Sequence, residues 1–203
     1  MIVKICGITR VEDAKLAVSL GATAIGFIFW PASPRAIAPV QARSIIDALP
    51  ASVTTVGVFV NASRDEIETA ADAANVSAVQ LHGDETPDLA RSLSRGVIKA
   101  VALGDDAEQV MNDWAGTMVL LDAHDPARRG GTGRVIDWDR AASIARTRDV
   151  ILAGGLGPAN VVDAVTRVRP AGIDVSSGVE SSPGVKDHEK LRALFEALAG
   201  VEA

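Results

Sequence analysis

The chain has 203 residues, of which 48% are hydrophobic and 3% aromatic, and its formal net charge is −6. This length suits one domain, predicted to span residues 1–203, and no apolar run reaches the roughly 20 residues of a membrane span. No basic run with interleaved aromatic residues occurs either, so we expect neither nucleic acid nor a membrane as a partner.

Cys6 is the only cysteine, which excludes an internal disulfide and suits a reducing compartment. The N-terminus enters a strand that contains Lys4, and it lacks a signal-peptide pattern. We therefore expect a cytoplasmic location.

In chain order, one pattern is repeated eight times, a strand followed by a helix. The predicted strands are short runs rich in Val and Ile, as in parallel sheets covered on both faces. They span residues 2–6, 24–29, 54–60, 78–82, 97–101, 118–122, 150–154 and 172–176. Eight such units indicate either a closed (β/α)8 TIM barrel of the α/β class or an open doubly wound sheet. Because no G-x-G-x-x-G follows the first strand, we favour the barrel.

Helix boundaries carry their own signals. The predicted starts are two capping boxes and three prolines in a first turn: Thr9 with Glu12, Ser63 with Glu66, and Pro39, Pro87 and Pro158. Gly21 is predicted to end the first helix, and the last helix is expected at about residues 187–198.

Alternation along the strands places polar side chains on one face. Lys4 and Cys6 share a face on strand one, Gln80 and His82 on strand four, and Asp174 and Ser176 on strand eight; on strand six Asp122 has the parity of Leu120. This face is predicted to be the barrel interior, and most of these residues lie near the C-terminal strand ends, where barrel enzymes work. Because an unpaired buried charge is costly, we expect Lys4 to pair with a carboxylate such as Asp174.

Two residues are candidates for proton transfer. Cys6 is either a small buried hydrophobe, as most free cysteines are, or a base whose pKa is drawn down at a strand end. Asp122 either caps the following turn or acts as a proton donor beneath the long loop 123–134. Since loops of this length in compact domains are usually functional, that loop is predicted to be a lid.

Anion-binding candidates lie on other loops. Arg35 follows a stretch with two prolines and is either a solvated surface charge or a fork for a substrate carboxylate. Glycine-rich turns after strands seven and eight match the common phosphate site of barrels. The predicted phosphate site comprises Gly154, Gly155, Ser176, Ser177 and Gly178.

The three histidines are weak candidates for metal ligands. Only His82 is predicted to lie inside the barrel, and no H-x-x-x-H spacing links it to His124 or His188. We therefore predict no metal site.

Eight short motifs, one in each unit, resemble the phosphoribosylanthranilate isomerase family. They are VKICGIT at 3–9, GFIFWPASPR at 26–35, VGVFVN at 56–61, VQLHG at 79–83, LLD at 120–122, GGTG at 130–133, AGGL at 153–156 and DVSSGVE at 174–180. The resemblance covers essentially the whole chain. It implies a (β/α)8 enzyme of tryptophan biosynthesis that needs no cofactor.

The resemblance also implies residue roles in an Amadori rearrangement of N-(5-phosphoribosyl)anthranilate. Asp122 is expected to be the general acid and Cys6 the general base. Arg35, with His82 nearby, is expected to bind the anthranilate carboxylate, and Asp174 the sugar hydroxyls. The partner is then a small molecule with a phosphate and a carboxylate; whether the protein is a monomer or a homodimer stays open.

Two other functions fit parts of the pattern. A sugar-phosphate epimerase would use the same phosphate loops, but it would need a metal-binding His/Asp set or an Asp pair and would leave Cys6 idle. A phosphometabolite-binding barrel without turnover would leave the pairing of Cys6 with Asp122 unexplained.

Overall fold

The structure, a computed structural model, describes residues 1–123 and 136–201. Eight parallel strands close into a barrel in which each strand pairs with the next along the chain and β8 pairs with β1. The barrel strands are β1 Ile2–Ile5, β2 Ala24–Ile28, β3 Thr54–Phe59, β4 Ala78–Leu81, β5 Gly96–Ala102, β6 Met118–Asp122, β7 Val150–Leu152 and β8 Gly172–Val175. The predicted TIM barrel is thereby confirmed.

Helices follow the strands in the predicted alternation. They are α1 Val11–Leu20, α2 Pro39–Ile46, α3 Arg64–Ala74, α4 Pro87–Ser92, α5 Ala107–Asp113, α6 Trp138–Ala145, α7 Val161–Val168 and α8 His188–Ala199. A 3-10 turn, Ser177–Val179, and a small antiparallel hairpin of β9 Glu180–Ser182 and β10 Val185–Lys186 lie between β8 and α8. Among the described helices, none has the length and apolar character needed to cross a membrane.

Strand alternation divides the apolar residues into two layers. Val3, Ile5, Ile173 and Val175 belong to the large cluster between the strands and the helices. Leu120 belongs to a small second cluster with other residues of β5, β6 and β7, inside the barrel. The predicted parity is therefore confirmed, and the polar residues of the inner parity face the barrel interior.

Most predicted strands extend one or two residues too far at their C-terminal ends, and β5 is one residue longer at each end. Strand β7 stops at Leu152 because Gly154 and Gly155 have φ of 84° and 63°, a left-handed backbone that cannot continue a strand. Cys6 likewise lies just beyond β1, although its N–H still donates to Val175 O at 2.9 Å. The side chains at these ends therefore project from loops rather than from the ladder.

Several helix boundaries are as predicted. Ser63 caps α3 in a capping box with Glu66, Pro39 and Pro87 begin α2 and α4, and Gly21 ends α1 with φ of 117°.

Two predicted helix starts are wrong. Thr9 does not cap α1; its hydroxyl donates to Gly184 O at 2.5 Å and so ties the loop after β1 to the β9–β10 hairpin. Pro158 lies in a turn before α7, which begins at Val161, because the Asn160 side chain accepts from Gly157 N at 2.9 Å and donates to Gly155 O at 3.0 Å. These tertiary and loop contacts outweigh the local capping signal.

Candidate active site

A cleft opens at the C-terminal ends of the barrel strands, where catalytic residues of TIM barrels lie. It contains nine of the ten residues that the sequence singles out; the tenth, Gly178, lies behind the wall. The wall consists of Cys6, Ile28, Trp30, Ser33, Arg35, Val58, Val60, Gln80, His82, Asp122, Ala153, Gly154, Gly155, Leu156, Asp174, Ser176 and Ser177. Side chains of different strands therefore converge on one space.

Cys6 lies at the end of β1 and lines this cleft, although it is only 6% exposed. Lys4, two residues earlier on the same face, is fully buried, and its Nζ lies beside Gly26 together with the sulfur. Both groups pack against bare backbone: a Cβ at Gly26 would meet Cys6 Sγ at 2.8 Å and Lys4 Nζ at 3.1 Å. Burial raises the pKa of the Cys6 thiol above its ordinary value, and the Lys4 ammonium partly opposes that rise.

The predicted ion pair between Lys4 and Asp174 is confirmed. The two residues are register neighbours on β1 and β8, and Nζ lies 2.9 Å from Oδ1. Burial alone lowers the pKa of Lys4, but Asp174 and Cys6 outweigh it and raise the pKa above its ordinary value. Lys4 is therefore an ammonium at neutral pH.

Asp122, the last residue of β6, contacts His82 across the cleft. Its Oδ1 accepts from Ala123 N at 2.8 Å, and its Oδ2 lies 3.3 Å from His82 Nε2. Gln80 Nε2 lies 3.2 Å from His82 Nδ1; with this amide as donor, the neutral ring carries its proton on Nε2 and points it at Asp122. His82 is thus a neighbour of the candidate acid, a contact that strand parity did not predict.

Gln80 is itself buried in the wall of the cleft. Its Oε1 has no hydrogen-bond partner within the described part of the chain. A buried amide oxygen that faces a cleft is a ready acceptor for a ligand N–H or O–H.

Arg35 is not a solvated surface charge. It is 8% exposed and forms a fork with Glu180, with Nε 2.9 Å from Oε1 and Nη2 2.8 Å from Oε2. Lys186 Nζ lies 2.8 Å from the same Oε1. Burial raises the pKa of Glu180, but Arg35 and Lys186 outweigh it and hold the pKa below its ordinary value. Burial lowers the pKa of Lys186, which shares its carboxylate with Arg35.

Sequence reasoning assigned no role to Glu180 or Lys186. Glu180 is the last residue of the DVSSGVE motif, and its charge at the end of a glycine-containing turn could have indicated a role in the site. Lys186 had no local signal, because its position in the site depends on the β9–β10 hairpin.

The loops after β7 and β8 lie against each other at the rim of the cleft. Gly154, Gly155, Ser176 and Ser177 line it. Gly178 supports the contact from behind, since a Cβ there would lie 1.9 Å from Leu156 O. Backbone approach of this kind needs glycine. Backbone N–H groups of such turns are the usual donors to a bound phosphate.

The predicted lid, residues 123–134, lies outside the described residues apart from Ala123, and so does His124. His188 Nε2 lies 2.8 Å from the buried Asp13 Oδ1, next to α1 and away from the cleft. Within residues 1–123 and 136–201, no group of three or more His, Cys, Asp and Glu side chains is arranged to hold a metal ion.

Comparison with known proteins agrees with the motifs. The profile of the family described as N-(5'phosphoribosyl)anthranilate (PRA) isomerase matches residues 3–197. The N-(5'-phosphoribosyl)anthranilate isomerase of Pseudomonas savastanoi pv. phaseolicola is 51% identical over 202 residues, which cover 97% of each chain.

Solved structures give the same result. The crystal structure of phosphoribosyl anthranilate isomerase from Thermus thermophilus is 44% identical, covers 100% of both chains and superposes with a TM-score of 0.92. A phosphoribosyl anthranilate isomerase in complex with reduced 1-(o-carboxyphenylamino)-1-deoxyribulose 5-phosphate is 40% identical over 99% of this chain and 100% of the other, with a TM-score of 0.88. The chain therefore belongs to the N-(5'-phosphoribosyl)anthranilate isomerase family.

Proposed function

We propose that this protein catalyses the Amadori rearrangement of N-(5-phosphoribosyl)anthranilate to 1-(2-carboxyphenylamino)-1-deoxyribulose 5-phosphate in tryptophan biosynthesis. The observation that carries the proposal is the convergence of Cys6 and Asp122, from β1 and β6, on one cleft of a chain that belongs to this family. Family membership favours this function over an epimerase or a binding barrel without turnover.

The chemistry needs one acid and one base. Asp122 gives its proton to the furanose ring oxygen, and the C1′–O bond breaks to leave an iminium. Cys6, as thiolate, then removes the proton from C2′, and the resulting enolamine becomes the ketone. The oxidation states of C1′ and C2′ change in opposite directions within one molecule, so the reaction balances without a redox cofactor.

Two contacts hold the carboxyl group of Asp122 in the wall of the cleft. Its Oδ1 accepts from Ala123 N at 2.8 Å, and its Oδ2 lies 3.3 Å from His82 Nε2. These contacts fix the position of the proposed acid.

The substrate's two anionic groups are assigned to different residues of the cleft. The phosphate is held by the loops after β7 and β8, through Gly154, Gly155, Ser176, Ser177 and Gly178. Arg35, with His82 nearby, holds the anthranilate carboxylate. Asp174, whose Oδ1 pairs with Lys4, offers Oδ2 to the sugar hydroxyls.

The first experiment measures the loss of phosphoribosylanthranilate fluorescence. The wild-type protein is expected to turn the substrate over, and Cys6→Ser or Asp122→Asn is expected to lose at least about a hundredfold in kcat, because a positioned proton-transfer group contributes about 10² to 10⁴ in rate. Product affinity should change little in both variants. Near-wild-type turnover in either one removes that residue from its role, and no turnover by the wild type rejects the function.

We further propose that residues 1–203 form one domain located in the cytoplasm. The closed barrel from β1 to β8 and the packing of α8 on α1 support a single domain. The single cysteine suits a reducing compartment.

A further inference from the structure

Lys4 is a buried cation that the two proton transfers do not use. It is 0% exposed, lies on the inner face of β1 and is directed toward the cleft end of the barrel by its place two residues before Cys6. Lysines are almost never fully buried unless they are paired, and a buried ion pair is weak evidence for stability alone. The position of this charge next to the candidate base therefore calls for a second explanation.

The surroundings place the ammonium near the sulfur. Asp174 on β8 pairs with Lys4, with Oδ1 2.9 Å from Nζ. Because Gly26 has no side chain, Nζ and Sγ both fit against the backbone of β2. An alanine at Gly26 would require either group to shift, since its Cβ would lie 2.8 Å from Sγ. The contact is thus built into three neighbouring strands.

The charges around Cys6 are unequal in number. Three buried cations, Lys4, Arg35 and Lys186, are paired with two carboxylates, Asp174 and Glu180. Two of these cations, Lys4 and Lys186, lower the pKa of Cys6 and so oppose the burial that raises it. The thiolate therefore depends on the cations beside it.

We propose that Lys4 is a positioning residue that stabilises the thiolate of Cys6 and holds its sulfur toward the substrate. The proposal rests on the proposed function, in which Cys6 is the base. Lys4 does not line the cleft, so it acts on the reaction only through the sulfur.

The direction of each effect on Cys6 follows from the charges that face it. Burial raises the pKa of the thiol, Lys4 on β1 and Lys186 on β10 lower it, and Asp174 on β8 raises it. Asp122 on β6 and Arg35 after β2 line the same cleft. Without Lys4, burial and Asp174 act with less opposition, and the thiolate forms only at higher pH.

The single cysteine allows this to be measured directly. The ultraviolet absorbance of the thiolate and the rate of alkylation by iodoacetamide, both followed against pH, report Cys6 alone. Lys4→Gln is expected to raise the pKa of Cys6 by about one unit or more, the size of effect that an adjacent opposite charge has. Its kcat should fall and recover partly as the pH is raised, with KM near the wild-type value.

Lys99 provides a matched control. It is 3% exposed, lies on β5, and its Nζ is 2.9 Å from Glu85, so Lys99→Gln also breaks a buried ion pair, but at a place that does not line the cleft. This variant is expected to leave the titration of Cys6 unchanged. The proposal would be overturned if folded Lys4→Gln had the same Cys6 pKa as the wild type. It would also be overturned if Lys4→Gln and Lys99→Gln shifted that pKa equally.

A second variant decides the matter if Lys4→Gln does not fold. Asp174→Asn removes the carboxylate that competes for the ammonium, so the pKa of Cys6 should move in the opposite direction, downward. An unchanged or raised pKa in this variant would count against the role of Lys4. Neither measurement needs turnover. If the pKa of Cys6 rose in Lys4→Gln and fell in Asp174→Asn while the wild type showed no activity, the role of Lys4 would be supported and the isomerase function rejected.

Discussion

At the residue scale, Arg35 is bonded to Glu180 in the wall of the cleft, where it is proposed to bind the substrate carboxylate. Its fork to Glu180 engages Nε and Nη2, and within the described residues no hydrogen bond from Nη1 is seen. Because the guanidinium is rigid and planar, fixing one edge also fixes the direction of the other. Glu180 therefore orients Arg35 for a carboxylate that enters the cleft.

Arg35→Ala is expected to weaken substrate binding rather than slow the chemistry. A hydrogen bond to a charged group contributes about 1.5–3 kcal/mol, so KM should rise about tenfold or more while kcat stays within a few-fold of the wild type. Steady-state kinetics measure both. Arg43→Ala, which removes an exposed arginine of α2 paired with Asp47, serves as the control and should change neither. A KM for Arg35→Ala equal to that of the wild type would show that the clamp is misplaced.

At the scale of elements, the proposed phosphate site lies where two loops approach each other closely. The turn after β8 packs on the turn after β7 through Gly178, whose added Cβ would overlap Leu156 O. The 3-10 turn Ser177–Val179 begins at this contact. The spacing of the two loops therefore depends on the absence of a side chain at Gly178.

Gly178→Ala should therefore force the two loops apart. Overpacking of this kind typically costs about 1–3 kcal/mol, so we expect a lower free energy of unfolding in urea and weaker binding of inorganic phosphate. Gly96→Ala is the control, because no atom lies within 4 Å of a Cβ added there. If Gly178→Ala bound phosphate as tightly as Gly96→Ala, the loop contact would not shape the site.

At the scale of the whole molecule, Glu180 joins parts of the chain that are far apart in sequence. It bonds Arg35 from the loop after β2 and Lys186 from β10, while the hairpin it begins receives a hydrogen bond from Thr9. Arg35 and Lys186 hold its pKa below 4.5, the value of an ordinary glutamate. A carboxylate with a lowered pKa in the folded state adds stability above its unfolded pKa and loses it as the pH falls through the folded value.

Glu180→Gln is expected to remove this pH-dependent contribution. The free energy of unfolding of the variant should lie below that of the wild type near neutral pH, and this difference should narrow as the pH falls below 4.5 and through the lowered pKa of Glu180. Urea unfolding at several pH values measures it, with Glu196→Gln, an exposed position in α8, as the control. If the difference in free energy of unfolding between the two proteins did not change as the pH falls, the Glu180 charge would not contribute in the way proposed.

The order and kind of the elements are readable from the chain because they depend on local patterns. Apolar runs of strand length, a proline at the start of α2 or α4 and the Ser63–Glu66 box act within a few residues. Alternation along β1 and β8 also sufficed to predict the pair of Lys4 with Asp174, because closing eight strands makes the first and last neighbours. Thr9 shows the limit of this reasoning: a capping signal was overridden by a carbonyl 175 residues away.

The cleft residues themselves were also identifiable from the chain, since polar side chains at strand ends stand out against apolar runs. Apart from the Lys4–Asp174 pair, their partners were not. The fork of Arg35 on Glu180 and the contact of His82 with Asp122 link strands and loops whose separation along the chain carries no pairing signal. Burial and long-range charge then set the protonation states, and both exist only once the barrel has closed.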